Sequence, residues 1–595
     1  MSEIRDGMHI EWHVPITMDD GIVLRADVYR PIPDGRYPVI LSHGVYAKGL
    51  SYQEGYPMQW QKMVLDHPEI LEGSTNKYQA WEVTDPERWV PHGYAIVRVD
   101  SRGSGWSPGY LDPLCPREDD DLAACIEWAG TQAWSNGKVG MLGISYYAVN
   151  QWRVAAKHRP RHLAAIIPWE GFNDFYRDPA YHGGILSEFM KRWAPIQALT
   201  VQHGLGIRAK KNPNTGESVA GPETLPDDDL AKNRTDPHVD LLAHSLCDDW
   251  HKERSADLSQ VTVPLLSCAN WGGQGIHPRG NFNGFLQASS PQKWLEVHGE
   301  SHWALFSSGY GLALQKKFFD HFLKGLDNGW DKTPPVTLNV RHPGEKFVLR
   351  HEHEWPLART QWTTFYLDPA TRALTGAPGA RGTVEYDALG QGVTFSMTMD
   401  RETEITGPLA AKLFVSSSTA DADLFLILRV FDPNGRELTF FGSTDPHTPI
   451  ANGWLRASHR RLDPKKSTPW QPYHPHDRVE PLTPGHVYEC DVEILPTCIV
   501  VPAGWRVALT VRGKDYEYEG DLDAFGKSFH YSTRGTGGMT HNDPISRPRD
   551  VFGGRDAAHR RRSCVLRAPA DHPGPVRPPK RLDQNGSMRQ TGPMK

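Results

Sequence analysis

Along the first third of the chain, short apolar runs alternate with segments whose apolar residues recur at helical spacing. Residues 37–42, 94–99, 138–143 and 163–168, and later 263–268 and 293–297, are runs of aliphatic and β-branched side chains. Such unbroken runs predict strands covered on both faces, as in a parallel sheet with helical crossovers. Leu122, Cys125, Ile126 and Ala129 share one helical face, and the acidic run 118–121 precedes them, where a helix dipole favours negative charge. A second helix is predicted from Ser145 to about His158. A third covers about 312–326, with Leu314, Phe318 and Phe322 on one stripe. Between about 181 and 260 this rhythm stops, and mixed helical and polar patterns predict an insertion over the strand ends, a cap. After 335 the period changes to two. In residues 505–512, Val507, Leu509 and Val511 alternate with Arg506, Ala508, Thr510 and Arg512. Asp432-Pro433-Asn434-Gly435 separates two apolar runs as a hairpin turn would.

The expected architecture is therefore a parallel-sheet α/β domain from residues 1–180 and 261–335, a helical cap over 181–260, and an all-β sandwich over 336–570. The Pro-rich polar stretch 571–595 is expected to be disordered. A length of 595 residues accommodates this division. Lys+Arg total 65 against Asp+Glu 71, so nothing in the charge favours nucleic acid or an anionic membrane. Residues 1–11 are polar, and no apolar run approaches the roughly 20 residues of a membrane span, which predicts a soluble, cytoplasmic protein. Seven scattered cysteines without a Cys-x-x-Cys pair predict buried free thiols. A homo-oligomer is left open.

The sharpest chemical signal is Gly140-Met141-Leu142-Gly143-Ile144-Ser145-Tyr146, an apolar strand running through Gly-x-Ser into a helix. That context suits a nucleophile elbow, in which the tight turn excludes a side chain at Gly143 and exposes the Ser145 hydroxyl. The N–H of Tyr146 would face an oxyanion at the helix start. The second glycine of Gly-x-Ser-x-Gly is absent; Tyr147 stands there. A serine needs a base, and the segment after the last strand offers His298 and His302. His302 lies in the loop and is the expected base; His298, nearer the strand, is expected to be structural.

Several segments, in order, resemble the CocE/NonD (cocaine-esterase-like) acyl hydrolases, relatives of the Xaa-Pro dipeptidyl peptidases. They are the hairpin MDDGIVLRADVYRP at 18–31, Asp100-Ser101-Arg102-Gly103-Ser104-Gly105-Trp106-Ser107, Glu127-Trp128 with the lead-in 132–140 to Ser145, Gly453-Trp454-Leu455-Arg456-Ala457-Ser458 and Pro502-Ala503-Gly504. The resemblance implies an α/β-hydrolase fold with a helical cap and a C-terminal jelly-roll-like sandwich. It implies Ser145 as nucleophile, His302 as base, and an oxyanion hole made by the Tyr46 hydroxyl and the Tyr146 amide. It implies a small ester, α-amino acid ester or amide substrate, and no metal or other cofactor.

The triad acid departs from this pattern. In Ala269-Asn270-Trp271-Gly272-Gly273-Gln274-Gly275, Gly273 stands where similar proteins carry Asp. The histidine still needs a group to orient it and stabilise its charged form. Glu170, at the end of the preceding strand, is the leading replacement. Asp174 is second, and a dyad with Asn270 or Gln274 holding the ring is third. His351/His353 and His474/His476 could suggest metal ligands but lack a third cluster, and are read as surface or interdomain residues. The expected function is a serine hydrolase forming an acyl-enzyme. An Xaa-Pro-type peptidase and a catalytically degenerate binding protein are the rivals.

Overall fold

A computed structural model of the protein describes residues 1–520 and 540–552, and the backbone of 563–567. The expected tail at 571–595 lies outside the described residues. The first sheet contains, besides the short edge strand Ser2–Arg5 that pairs with the first of them, β1 (Met8–Thr17), β2 (Val23–Pro31), β3 (Tyr37–Gly44), β4 (Ala95–Asp100), β5 (Ser135–Ile144), β6 (Leu163–Trp169), β7 (Leu265–Asn270), β8 (Lys293–His298) and β9 (Val336–His342). Hydrogen bonding orders them β1-β2-β4-β3-β5-β6-β7-β8-β9. β1 and β2 are antiparallel, β2 runs antiparallel to β4, and the rest are parallel. All six strands expected from the apolar runs are present.

Their continuous apolarity follows from burial on both faces. Val39, Leu41, Val97, Val99, Val139, Met141, Ile166 and Leu265 pack on one side. Their neighbours Ile40, Ile96, Leu142, Ile144, Ile167 and Leu266 pack on the other. The first side is covered by α1 (Pro116–Thr131) and α2 (Tyr146–Lys157), through Leu122, Cys125, Ile126 and Ala129 and through Trp152 and Val154. The second is covered partly by α4 (Gly309–Phe322), through Phe318 and Phe319; α3 (Pro278–Gln287) follows β7. Asp119 of α1 pairs with the buried Arg153 of α2 at 2.7 Å, which fixes the second helix and the serine at its start. Between β6 and β7 the chain makes a two-residue ladder, Tyr181–His182 with Ile185–Leu186, and the short helices Phe189–Trp193, Asp227–Lys232, Pro237–Ala243 and Asp249–Glu253.

The C-terminal part is all β. It contains β10 (Lys346–Glu352), β11 (Thr383–Asp387), β12 (Val393–Thr398), β13 (Thr403–Ser417), β14 (Asp423–Phe431), β15 (Ala451–Arg456), β16 (Tyr488–Val501) and β17 (Arg506–Arg512). The expected turn after β14 is present, with Gly435 left-handed at φ 85°. Val507, Leu509 and Val511 face the β-domain core with Phe395, Leu426 and Val492. The change of pattern at 335 places residues 336–342 with the sandwich. In the structure β9 serves both parts: it extends the parallel sheet beside β8, pairs with β10 in a hairpin, and meets β16 at Arg341–Ile499. Its alternate burial suits an edge shared by two cores, a pattern that does not reveal which sheet it joins. Among the described residues, Cys115, Cys125, Cys247, Cys268 and Cys498 are free thiols. No helix among the described residues is long and apolar enough to cross a membrane.

The β domain also reaches the strand ends of the first sheet. Residues Glu300–Ser301, in the loop after β8, pair in parallel with Gly442 and Ser443. The backbone of Gly442 lies so close to Gly272 that a Cβ on Gly272 would sit 1.9 Å from the Gly442 Cα. Gly272→Ala should therefore wedge the β domain off the loops after β7 and β8. The expected cost is about 1–3 kcal/mol of stability, read as a lower urea midpoint. An unchanged midpoint would contradict this packing.

Candidate active site

Ser145 closes β5 and precedes α2 with φ 55° and ψ −112°, a strained elbow at the strand's C-terminal end. Its own N–H is held by the carbonyls of Trp169 and Glu170, both at 3.1 Å. A Cβ on Gly143 would meet the Tyr147 Cβ at 2.4 Å, so only glycine fits there. The glycine missing at 147 is compensated across the sheet. The Tyr147 ring fills the space beside Gly44, where a Cβ would come within 2.6 Å of it. The N–H of Tyr146, first residue of α2, is a helix-start donor that no intrahelical carbonyl can satisfy. The Tyr146 side chain turns away to Glu118, with contacts of 2.6 and 2.7 Å to its carboxylate.

Tyr46, two residues beyond β3, is buried with its ring edge-on to Tyr146 and Tyr147, and its hydroxyl accepts a hydrogen bond from Trp193 Nε1 at 3.1 Å. Burial, reinforced by the Glu82 charge, pushes its ionisation well above the ordinary tyrosine value, so it stays a neutral donor. The Asp100 loop fixes this segment: Lys48 N–H donates to Asp100 Oδ1 at 2.6 Å, and Trp106 N–H donates to Oδ2 at 2.8 Å.

The centre of the site is Glu170, fully buried at the end of β6 with φ 49°. Its Oε2 accepts from His302 Nδ1 at 2.7 Å and from the Ser443 hydroxyl at 3.3 Å. Its Oε1 accepts from His298 Nε2 and from Asn270 Nδ2, both at 3.1 Å. Burial alone would raise its pKa, but the charge of His302 and the bonds from His298 and His302 hold it far below the usual carboxylate range. A Cβ placed on Gly273 would lie 3.6 Å from Glu170 Oε2. The Glu170 carboxylate thus occupies the neighbourhood that an Asp at 273 would reach.

Each of two histidines lies between two carboxylates. His302 Nε2 also meets Glu82 Oε1 at 3.0 Å, and His298 Nδ1 meets Glu296 Oε2 at 2.7 Å. Each ring thus has a carboxylate oxygen at both nitrogens, an arrangement that favours the imidazolium form. Burial opposes that charge, but Glu170 and Glu82 raise His302 to about 10, and Glu296 and Glu170 raise His298 to about 9. Burial raises Glu82 to about 7, against the pull of His302.

The expected hydrogen bond from Ser145 to His302 is not the one formed. The imidazole on the Ser145 hydroxyl is His277, with its Nε2 at 3.1 Å from Oγ. The reason is that carboxylates hold both nitrogens of His302. His277 immediately precedes α3 and stacks on His302, with centroids 5.1 Å apart and planes 11° apart. Burial and the His302 charge lower its pKa to about 3. Its Nδ1 is buried without a hydrogen-bond partner among the described residues, 3.9 Å from Glu170 Oε2. Ligand atoms of Glu170, His277 and His302 lie within 4.8 Å of one another, a spacing a metal could also bridge. In the structure the Glu170 carboxylate engages His302 Nδ1, and the Ser145 hydroxyl lies on His277 Nε2.

Of the other candidates, Asp174 pairs with Arg177 at 2.8 Å and is not among the partners of either histidine. Asn270 supports Glu170, whereas Gln274 bonds to the Pro449 carbonyl and to Asn452. His351 and His353 are exposed, while His474 and His476 are buried where Arg177 bonds to the His474 carbonyl at 2.9 Å. Sequence reasoning missed His277, Glu82 and Ser443. The signal for His277 was its position before a proline in the turn from β7 to α3, since loops at the C-terminal ends of parallel strands host such sites.

Residues 20–304 match the family model of the X-Pro dipeptidyl-peptidase (S15 family), and residues 328–520 match the X-Pro dipeptidyl-peptidase C-terminal non-catalytic domain. The chain is 26% identical over 599 residues to a putative serine esterase of Mycobacterium bovis, covering 84% of this chain and 90% of that one. It is 25% identical over 592 residues to the cocaine esterase of a Rhodococcus strain, covering 85% and 90%. A crystal structure of a CocE/NonD family hydrolase from Staphylococcus aureus superposes with a TM-score of 0.78 at 33% identity, over 94% of this chain and 92% of that one. With an elbow serine, an α/β-hydrolase sheet and this likeness along nearly its whole length, the chain belongs to the CocE/NonD family of serine hydrolases.

Proposed function

We propose that the protein hydrolyses small carboxylic esters through an acyl-enzyme on Ser145, with Glu170 as the acid of the catalytic group. The observation that carries this reading is the continuous contact from Ser145 Oγ into an imidazole cluster built on the Glu170 carboxylate. Ser145 Oγ attacks the carbonyl carbon as its proton passes to the cluster. The Tyr46 hydroxyl and the Tyr146 N–H hold the oxyanion. The cluster returns the proton to the leaving alkoxide, and water repeats the sequence to free the acid. His302, the expected base, is bonded through Nδ1 to Glu170 Oε2 at 2.7 Å.

Turnover of a short-chain nitrophenyl ester checks this. Ser145→Ala should abolish turnover and fluorophosphonate labelling, and a Ser145→Ala variant with wild-type turnover would sink the reading. Tyr46→Phe should lower kcat by about 10²–10³-fold through loss of one oxyanion donor.

The role of Glu170 has its own test. Glu170→Gln should lower kcat by up to about 10⁴-fold, as expected when the triad carboxylate becomes an amide. Adding Gly273→Asp should recover at least about tenfold of that loss, because the new carboxylate reaches the same space. Wild-type-like rates in Glu170→Gln alone would remove Glu170 from the machinery.

A further inference from the structure

With glycine at 273, the carboxylate on His302 comes from the end of β6, at the tip of a glutamate side chain. Such an arm has several rotatable bonds, and its charge is buried, so both its direction and its ionisation have to be held by neighbours. Oε2 meets His302 Nδ1 at 2.7 Å. Oε1 is held by two further donors, His298 Nε2 and Asn270 Nδ2, both at 3.1 Å. Strand register explains the convergence. Asn270 and His298 are neighbours across β7 and β8, and Trp169, just before Glu170, pairs with Cys268 of β7. Three adjacent strand ends therefore meet at one carboxylate.

His298 does more than fill this space. It is fully buried, and each ring nitrogen is spent on a buried carboxylate, Nε2 on Glu170 and Nδ1 on Glu296 Oε2 at 2.7 Å. Glu296 lies two residues earlier on β8 and so shares its face. Its other oxygen accepts from the Tyr310 hydroxyl of α4 and from Asn339 Nδ2 of β9, both at 3.3 Å. An apolar residue would pack on Trp169 as the His298 ring does, with centroids 4.9 Å apart, but it would leave two buried carboxylates facing each other without a donor between them. Asn270 is neutral, so of the two donors on Oε1 only His298 can also bring charge. Burial opposes that charge, and Glu296 and Glu170 overcome it, raising the ring to about 9.

We infer that His298, backed by Glu296, is a positioning residue for the hydrolysis: it fixes the Glu170 carboxylate with Oε2 on His302 and supplies the positive charge that keeps Glu170 an anion there. This rests on Glu170 as the acid of the proposed hydrolysis and deepens that reading. The titratable groups around the two rings are Glu170 from the end of β6, Glu296 from β8, Cys268 from β7, Tyr310 from α4, Glu82 from the segment before β4 and His277 from before α3. His298 and His302 are the two rings bonded to Glu170, so removing the charge of one leaves the carboxylate to act on the other. His302 then gives up its proton less readily. The acidic limb of kcat/KM, which follows the proton-free His302, moves to higher pH.

The test is a double-mutant cycle between His298→Gln and Glu170→Gln, read on turnover of the nitrophenyl ester, with circular dichroism as the control for folding. His298→Gln should lower kcat by about 10–10²-fold, the scale of a misplaced catalytic group, with KM within about threefold of wild type. Its acidic limb should rise by about half a pH unit or more. In the Glu170→Gln background the same substitution should cost less than about threefold, because the carboxylate it serves is already gone. His298→Asn, which keeps a donor beside Glu296 but withdraws the one on Glu170, is the second variant, and its loss should likewise vanish without Glu170. Equal losses in the two backgrounds would overturn the positioning role and leave His298 a structural residue. So would a folded His298→Gln with wild-type kcat and an unmoved limb. Wild-type turnover in Glu170→Gln alone would instead remove Glu170 as the acid, so the two failures are distinguishable.

Discussion

A buried carboxylate with its hydrogen-bonding capacity filled organises this molecule's chemistry. Isolated ionised carboxylates are costly to bury, and the cost is offset only by compensating charges and donors. Glu170 has them: two imidazole rings whose pKa values it raises, an amide and a hydroxyl converge on its oxygens. These donors come from β7, β8, the loop after β8 and the C-terminal β domain. One side chain therefore couples the sheet, the catalytic loops and the second domain.

That coupling gives the β domain a place in the active site. Its residues Gly442 and Ser443 pair with the segment just before His302, and the His302 N–H is held by the Ser443 carbonyl at 2.9 Å. The Gly272–Gly442 contact places the loop after β7 on the same seam. Loops that would otherwise be mobile are set by a neighbouring domain, so catalytic geometry and interdomain packing depend on one another.

Much of the fold was legible in the sequence because the sheet's interior demands it. Residues such as Val39, Ile40 and Leu41 are apolar without alternation since both faces are covered. The elbow at Ser145 was legible from strand, glycine and helix in order. With glycine at 273 a carboxylate has to come from a neighbouring strand end, and Glu170 stands there in contact with His302. What stayed hidden arises from side chains far apart in sequence and set by loops. His277 carries no periodic signal and precedes the last parallel strands, whereas chain order places a base after them. Glu82 sits at φ 61° in an irregular segment between β3 and β4. Ser443 belongs to the other domain. β9 reads as the start of the sandwich because its alternation cannot say which sheet it completes.

The central claim is that Glu170 holds two histidines as buried cations beside a neutral third. Nitrogen-15 NMR of the histidine-labelled protein at pH 8, with resonances assigned through the single variants, measures that directly. The account predicts imidazolium shifts for His298 and His302, a neutral-ring pattern for His277, and loss of the imidazolium signals in Glu170→Gln. Neutral rings at 298 and 302 in the folded wild-type protein at that pH would contradict it.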